Sequence, residues 1–209
     1  AEVQAKCFQE GAHASPTVTE TYCPMQSAVR RFNSNLPVVL IETQGGKIKS
    51  SEYRSMAIEI VEPDLDGRTR LSSPPTFSGK GGIKLRGSSS LNRPKKGYRI
   101  ELRDDMKEEN PTSLLGMPRD ADWILYGPYN NNKTLLNNVL IYEMSRRMGH
   151  YAPRTRFVEA FVNSEKEALS MTSYVGLYVL MERIEISPQR VDIEHPGSGG
   201  EHGRDSETT

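Results

Sequence analysis

The sequence predicts an α+β domain, and three observations carry that prediction. Short segments of alternating apolar and polar residues recur between Pro37 and Ile193, and a single strong helical stripe sits among them. Strands both precede and follow that helix, and no regular strand-helix-strand alternation links them, which disfavours a doubly wound nucleotide fold.

The elements follow in order. Residues 1–35 are rich in Thr, Ser and Gln and hold neither period for long, so they read as an N-terminal arm or the end of a preceding module. The folded unit, residues 36–194, opens with the apolar run 37–43, ended by Gly45-Gly46, which predicts a buried strand. Met56, Ile58 and Ile60 alternate with Ala57 and Glu59 in a second strand, stopped by Pro63 and a turn at Asp66-Gly67. The stretch 71–82, with two prolines and three glycines, reads as a linker. A short strand at 83–86 runs into three serines, and Tyr98, Ile100 and Leu102 mark the returning strand.

Residues 122–126 predict another short apolar element before Gly127-Pro128. Leu136, Leu140, Met144 and Met148 then recur every four residues, with Val139 widening the stripe, so one main helix is expected to pack on the sheet through this face. Gly149 suits its C′ position, and Arg146 and Arg147 suit the negative end of its dipole. Two further strands are expected at 156–162 and 174–184, joined by a polar hairpin connection. Residues 195–209 have almost nothing to bury and are expected to be a disordered tail.

Composition narrows the class. The chain of 209 residues carries 27 basic and 27 acidic side chains, so overall charge does not attract nucleic acid. No stretch is long and apolar enough for a membrane-spanning segment, and the first residues lack the apolar run of a signal peptide. Cys7 and Cys23 have no zinc-ligand spacing, and a disulfide and two free thiols stay equally open.

The balanced total hides a local excess. Residues 80–107 hold nine basic and three acidic side chains. Within them Gly87 and Ser88–Ser90 follow a strand, where backbone N–H groups and hydroxyls can face an anion, and Lys95 and Lys96 follow on the returning segment. No GxxxxGK[ST] or GxGxxG motif is present, so a solvated basic hairpin competes with phosphate binding. Sparse aromatics around the patch speak against nucleic acid. On the helix, Glu143 can pair either with a strand lysine, as a kinase-like lobe requires, or with Arg146 and Arg147 three and four residues on. Asp104/Asp105, Asp120/Asp122 and Asp192/Glu194 stand at strand ends as turn residues or cation ligands.

The ordered blocks PVVLIET, IKLRGSSS, PKKGYRIELRD, DADWILYGPYN, TLLNNVLIYEMSRRMG, APRTRFVEAFVN, YVGLYVLMERI and RVDI resemble the N-terminal half of the CotH kinase domain, the family of spore-coat protein H. The resemblance implies an atypical protein-kinase-like N-lobe of antiparallel strands with one main packed helix, the C-lobe being absent from the stretch matched. It implies ATP with Mg2+ or Mn2+ as cofactor, Ser phosphorylation of secreted or coat proteins by the complete domain, and a place outside the cell, on its surface or in a spore coat. A non-catalytic structural or adhesive surface module is the alternative. The cofactor-binding residues expected on this basis are Arg86, Gly87, Ser89, Ser90, Lys95, Lys96, Glu143 and Glu182, with Glu182-Arg183 where backbone groups would frame a nucleotide base. Catalytic and metal-binding Asp residues are expected downstream of the matched segment, so none is assigned here, and the chain should not transfer phosphate efficiently. Ser88 stands where the family commonly has Asn, and Asn132-Lys133 and Asn137-Asn138 stand where it usually has Asp-Lys and Arg-Asn.

Overall fold

A computed structural model describes residues 2–6, 18–21, 23–129 and 135–193. In chain order its elements are β1 (Glu2–Ala5), β2 (Val18–Thr21), α1 (Ser27–Arg30), β3 (Asn33–Ser34), β4 (Val38–Glu42), β5 (Arg54–Val61), β6 (Thr69–Arg70), β7 (Phe77–Arg86), β8 (Gly97–Arg103), β9 (Asp122–Tyr126), α2 (Asn137–Arg147), β10 (Thr155–Asn163) and β11 (Tyr174–Glu182). Strands β1 and β2 pair with each other, as do β3 and β6. The other seven close into a barrel in the order β4, β5, β7, β8, β9, β11, β10, every pairing antiparallel except the closing one between β10 and β4. The fold is therefore α+β, mostly strand, as the sequence predicts.

Strand alternation fills the barrel. One side chain in two points inward, so Ile58, Ile83, Ile100, Trp123, Val158 and Leu180 meet in one buried cluster. The opposite phase carries Lys84, Arg99 and Asp122 outward. A second cluster lies outside, where Cys23 and Val29 pack with Val38, Leu40, Phe161 and Leu169. The packed structure thus begins before Pro37, because the upstream segment covers the outer face of β4 and β10 and the Cys23 N–H donates to Glu59 Oε1 at 3.1 Å. Cys23 is a free buried thiol, and burial followed by the nearby Glu59 and Glu42 charges raises its pKa. Cys7, Asn132, Lys133 and the tail expected to be disordered lie outside the described residues.

Two expectations need correction. First, the linker reading of 71–82 fails for its second half, since β7 already starts at Phe77. The Gly-Lys-Gly-Gly run carries too few side chains to show alternation, but glycine is what the sheet needs there. A Cβ on Gly81 would lie 2.0 Å from the Glu101 carbonyl oxygen, and one on Gly82 would meet the Tyr53 ring at 3.0 Å.

Second, α2 does not pack through its four-residue stripe. It faces the outside of the barrel with Val139 and Tyr142, against Ile124, Val179 and Met181. Leu136, Leu140, Met144 and Met148 are exposed, Leu140 at 59% and Met148 at 71%. The physical reason is that a helix with apolar residues on two faces reveals its period but not which face meets the sheet. Replacing Leu140 and Met148 together with Gln is accordingly expected to change stability by no more than about 0.5 kcal/mol per site in urea denaturation, against roughly 2–5 kcal/mol for buried leucines. Among the described residues no helix is long and apolar enough to cross a membrane.

Candidate nucleotide cleft

Where β7 runs into Gly87, the outward phase of β7 and β8 meets the helix and the connection after β11. The result is a cleft of about 390 Å³ lined by Lys84, Leu85, Arg86, Gly87, Arg99, Ile124, Tyr142, Met181, Arg183 and Ile184. One side is cationic and the other apolar. Lys84 and Arg99 are directly opposite each other across the β7–β8 ladder, a like-charge pairing that costs stability unless something screens it. The Tyr53 ring supplies part of that screening, lying 4.4 Å from Lys84 Nζ and 5.7 Å from the Arg99 guanidinium. Burial pushes the Tyr53 phenol up to about 12, so the ring stays neutral.

Asp122 supplies the rest. Its Oδ1 sits 3.2 Å from Arg99 and its Oδ2 2.9 Å from Arg183, so one carboxylate orients two of the cations that line the cleft. At Gly87, φ is +130°, and a Cβ would lie 2.0 Å from Ser90 Oγ; glycine lets the chain leave β7 tightly beside the cleft.

A family model described as CotH kinase protein matches residues 83–200, more than half of the chain. The chain belongs to the CotH kinase family. No curated protein matches it. The segment matched to CotH starts within β7, one residue before Lys84, and contains every residue that lines the cleft.

Within this CotH segment the residues expected from sequence separate. Arg86 and Gly87 line the cleft. Ser89 and Ser90 open a single 3-10 turn, Ser89–Asn92, directly after it. Lys95 and Lys96 point elsewhere: the Lys95 ammonium donates to the Leu177 carbonyl and lies 4.7 Å from the Tyr178 ring, and that of Lys96 donates to the Leu91 carbonyl at 2.6 Å. Burial lowers the Lys95 pKa. Both hold the connection between β7 and β8 in shape.

Glu143 pairs with Arg146 at 2.5 Å and Arg147 at 2.8 Å, which is the local alternative and not the pairing with a strand lysine. Glu182 is fully buried; its two carboxylate oxygens accept the Arg154 backbone N–H at 2.9 Å and its guanidinium at 2.7 Å. Lys84 and Arg99 were not assigned to the site from sequence, and Arg183 was expected there through its backbone alone. The first two were visible in principle, because counting alternation outward from Ile83 and Ile100 puts both on the solvent face.

Asp120, Asp122 and Glu185 gather within 4.8 Å of one another. Their oxygens are already taken. Asp120 Oδ1 accepts the Asp122 N–H at 2.8 Å, Asp120 Oδ2 meets Arg190 at 3.0 Å, Asp122 holds Arg99 and Arg183, and Glu185 meets Arg190 and Arg183, each at 3.1 Å. Burial, then Asp120, pushes the Glu185 carboxyl up to about 7. This arrangement is a closed ion-pair network and does not fit a divalent cation, which needs free oxygen ligands.

Proposed function

We propose that this chain supplies the nucleotide-binding part of a CotH-type kinase, an atypical N-lobe-like barrel that holds ATP for the phosphorylation of Ser in secreted, surface or coat proteins. The observation that carries the proposal is the cleft itself: cations on one wall, apolar side chains on the other, all inside the family segment. Lys84, Arg86 and Arg99 would face the phosphates, as charge-assisted hydrogen bonds to phosphate oxygens require. Ile124, Tyr142 and Met181 would take the base, and the backbone of Arg183 and Ile184 would frame its edge. When bound, ATP supplies the transferable phosphoryl group; the work of these residues is to bind and orient it. The ion-paired acidic cluster assigns the accompanying Mg2+ or Mn2+ to no residue described here.

The test is nucleotide affinity of the full chain by titration calorimetry. Lys84→Ala and Arg99→Ala are each expected to weaken ATP binding roughly ten- to a hundredfold, the equivalent of about 1.5–3 kcal/mol for a hydrogen bond to a charged group. Lys96→Ala sets the sequence expectation against the geometric one. If it weakens ATP binding while Lys84→Ala does not, the cleft is not the phosphate site.

One observation favours a second reading, a scaffold module that captures surface proteins without catalysis: the clustered carboxylates Asp120, Asp122 and Glu185 beside the cleft are each already paired with arginine. Absence of ATP binding by the intact chain, with partner capture independent of ATP, would select it.

A further inference from the structure

Arg190 is charged, lies beyond the last barrel strand and is almost completely buried, its side chain 1% exposed. Burying a guanidinium costs several kcal/mol unless its donors are matched, and a hydrophobic side chain of similar volume would often serve stability equally well. Here the matching is extensive. Nε faces Asp120 Oδ2 at 3.0 Å, Nη1 faces Glu185 Oε1 at 3.1 Å and donates to the Arg183 carbonyl at 2.5 Å, and Nη2 donates to the Asp122 carbonyl at 2.8 Å. The guanidinium carbon lies 5.6 Å from the centre of the Trp123 ring, the largest side chain of the core.

These partners belong to two pieces of chain. Asp122 and Trp123 open β9 in the barrel wall, and Asp120 stands two residues before it. Arg183 and Glu185 belong to the connection leaving β11, which also forms one wall of the cleft through Arg183 and Ile184. Two further contacts reach that connection from outside: Arg183 pairs with Asp122 Oδ2 at 2.9 Å, and Arg154 Nη1 donates to the Gln189 carbonyl at 3.3 Å. Ile184 is exposed, and the backbone bonds of the following segment are internal to it, from Arg190 to Ser187 at 3.0 Å and from Val191 to Glu185 at 3.2 Å. The planar fork of one arginine thus gathers a short irregular segment through Arg183 and Glu185 and ties it to the chain entering β9 through Asp120 and Asp122.

We propose that Arg190 is a positioning residue of the cleft: it fixes the connection after β11 so that Arg183 and Ile184 frame a nucleotide base, without itself touching the ligand. The inference rests on the nucleotide reading above, and it separates the base from the phosphates. Lys84, Arg86 and Arg99 sit on β7 and β8, which Arg190 does not touch, and Asp122, which orients Arg99, is held in the β8–β9 ladder without it, so their hold on phosphate survives its loss.

The experiment measures binding of ATP, adenosine and inorganic tripolyphosphate to the intact chain and to Arg190→Gln and Arg190→Lys, with thermal melts of each protein. Arg190→Gln is expected to weaken ATP and adenosine roughly ten- to a hundredfold, as small misplacement of a positioning group does, and to leave tripolyphosphate unchanged. Arg190→Lys, a point charge without the fork, should recover only part of the loss. Glu185→Gln keeps the arginine and removes one of its anchors; it is expected to give a smaller loss of the same pattern even if Arg190→Gln fails to fold. A folded Arg190→Gln protein with unchanged adenosine and ATP affinity overturns the proposal, and so does an equal loss of adenosine and tripolyphosphate. If the unaltered chain binds neither ATP nor tripolyphosphate, the nucleotide reading itself fails and the positioning role falls with it.

Discussion

Trp123→Ala is expected to destabilise the chain by about 3–5 kcal/mol, a large part of the total stability of a domain this size. Trp123 is fully buried, stands opposite Ile100 on β8 and Glu182 on β11, and fills the centre of the barrel cluster. Its truncation opens a void that seven hydrogen-bonded strands cannot collapse to fill, because closure fixes the barrel diameter. Two polar consequences add to the void. The indole N–H donates to the Asp120 carbonyl at 2.9 Å, and the ring covers the Arg190 guanidinium. Trp123→Phe separates the effects: it keeps most of the apolar volume and loses the N–H, for about 1 kcal/mol. Urea unfolding followed by far-ultraviolet circular dichroism is the appropriate measurement, since this is the chain's one tryptophan and its removal abolishes the fluorescence signal. A loss below about 1 kcal/mol for the alanine variant would show that the barrel is not built around this residue.

The strands that carry Met56, Ile58 and Ile60, or Tyr98, Ile100 and Leu102, were legible because alternation on a half-buried sheet is a local property. The start of β7 was not, since a run of glycines has no side chains with which to alternate. Barrel closure was hidden for another reason. It depends on β4 pairing in parallel with β10, where Val39 meets Ala160 across most of the chain, and nothing local in either strand states its partner.

The site divides along the same line. Arg86 and Gly87 were found because a basic hairpin and a small-residue turn are contiguous features. Lys84 and Arg99 needed the strand phase as well as the charge count, Tyr142 reaches the cleft only through tertiary packing, and for Arg183 the resemblance implied the backbone position while its side-chain pairing is tertiary. Glu143 shows the converse: its partners lie three and four residues away, so the local reading was the one the structure contains. The apolar stripe of α2 misled because periodicity records which residues share a face and leaves open what that face meets.

Arg154→Ala is expected to be the most damaging single change of charge, at about 3–5 kcal/mol, because it leaves the Glu182 carboxylate uncompensated at a fully buried position. The two partners are unequal. The Arg154 side chain is 36% exposed, so water can solvate it if Glu182 is removed, whereas Glu182 is sealed inside the structure. Glu182→Gln should therefore cost less than Arg154→Ala, and the double variant should recover much of the arginine loss, since a neutral amide can still accept the Arg154 backbone N–H that now bonds at 2.9 Å. A double-mutant cycle in urea reads the coupling directly. Additive losses would mean that the charge pair contributes nothing beyond packing. Strong coupling would place Glu182 as the anchor of β11 immediately before Arg183. On that outcome the cleft takes its shape from three ion pairs around one short connection: buried Glu182 with Arg154 before Arg183, and buried Arg190 with Asp120 and with Glu185 after it.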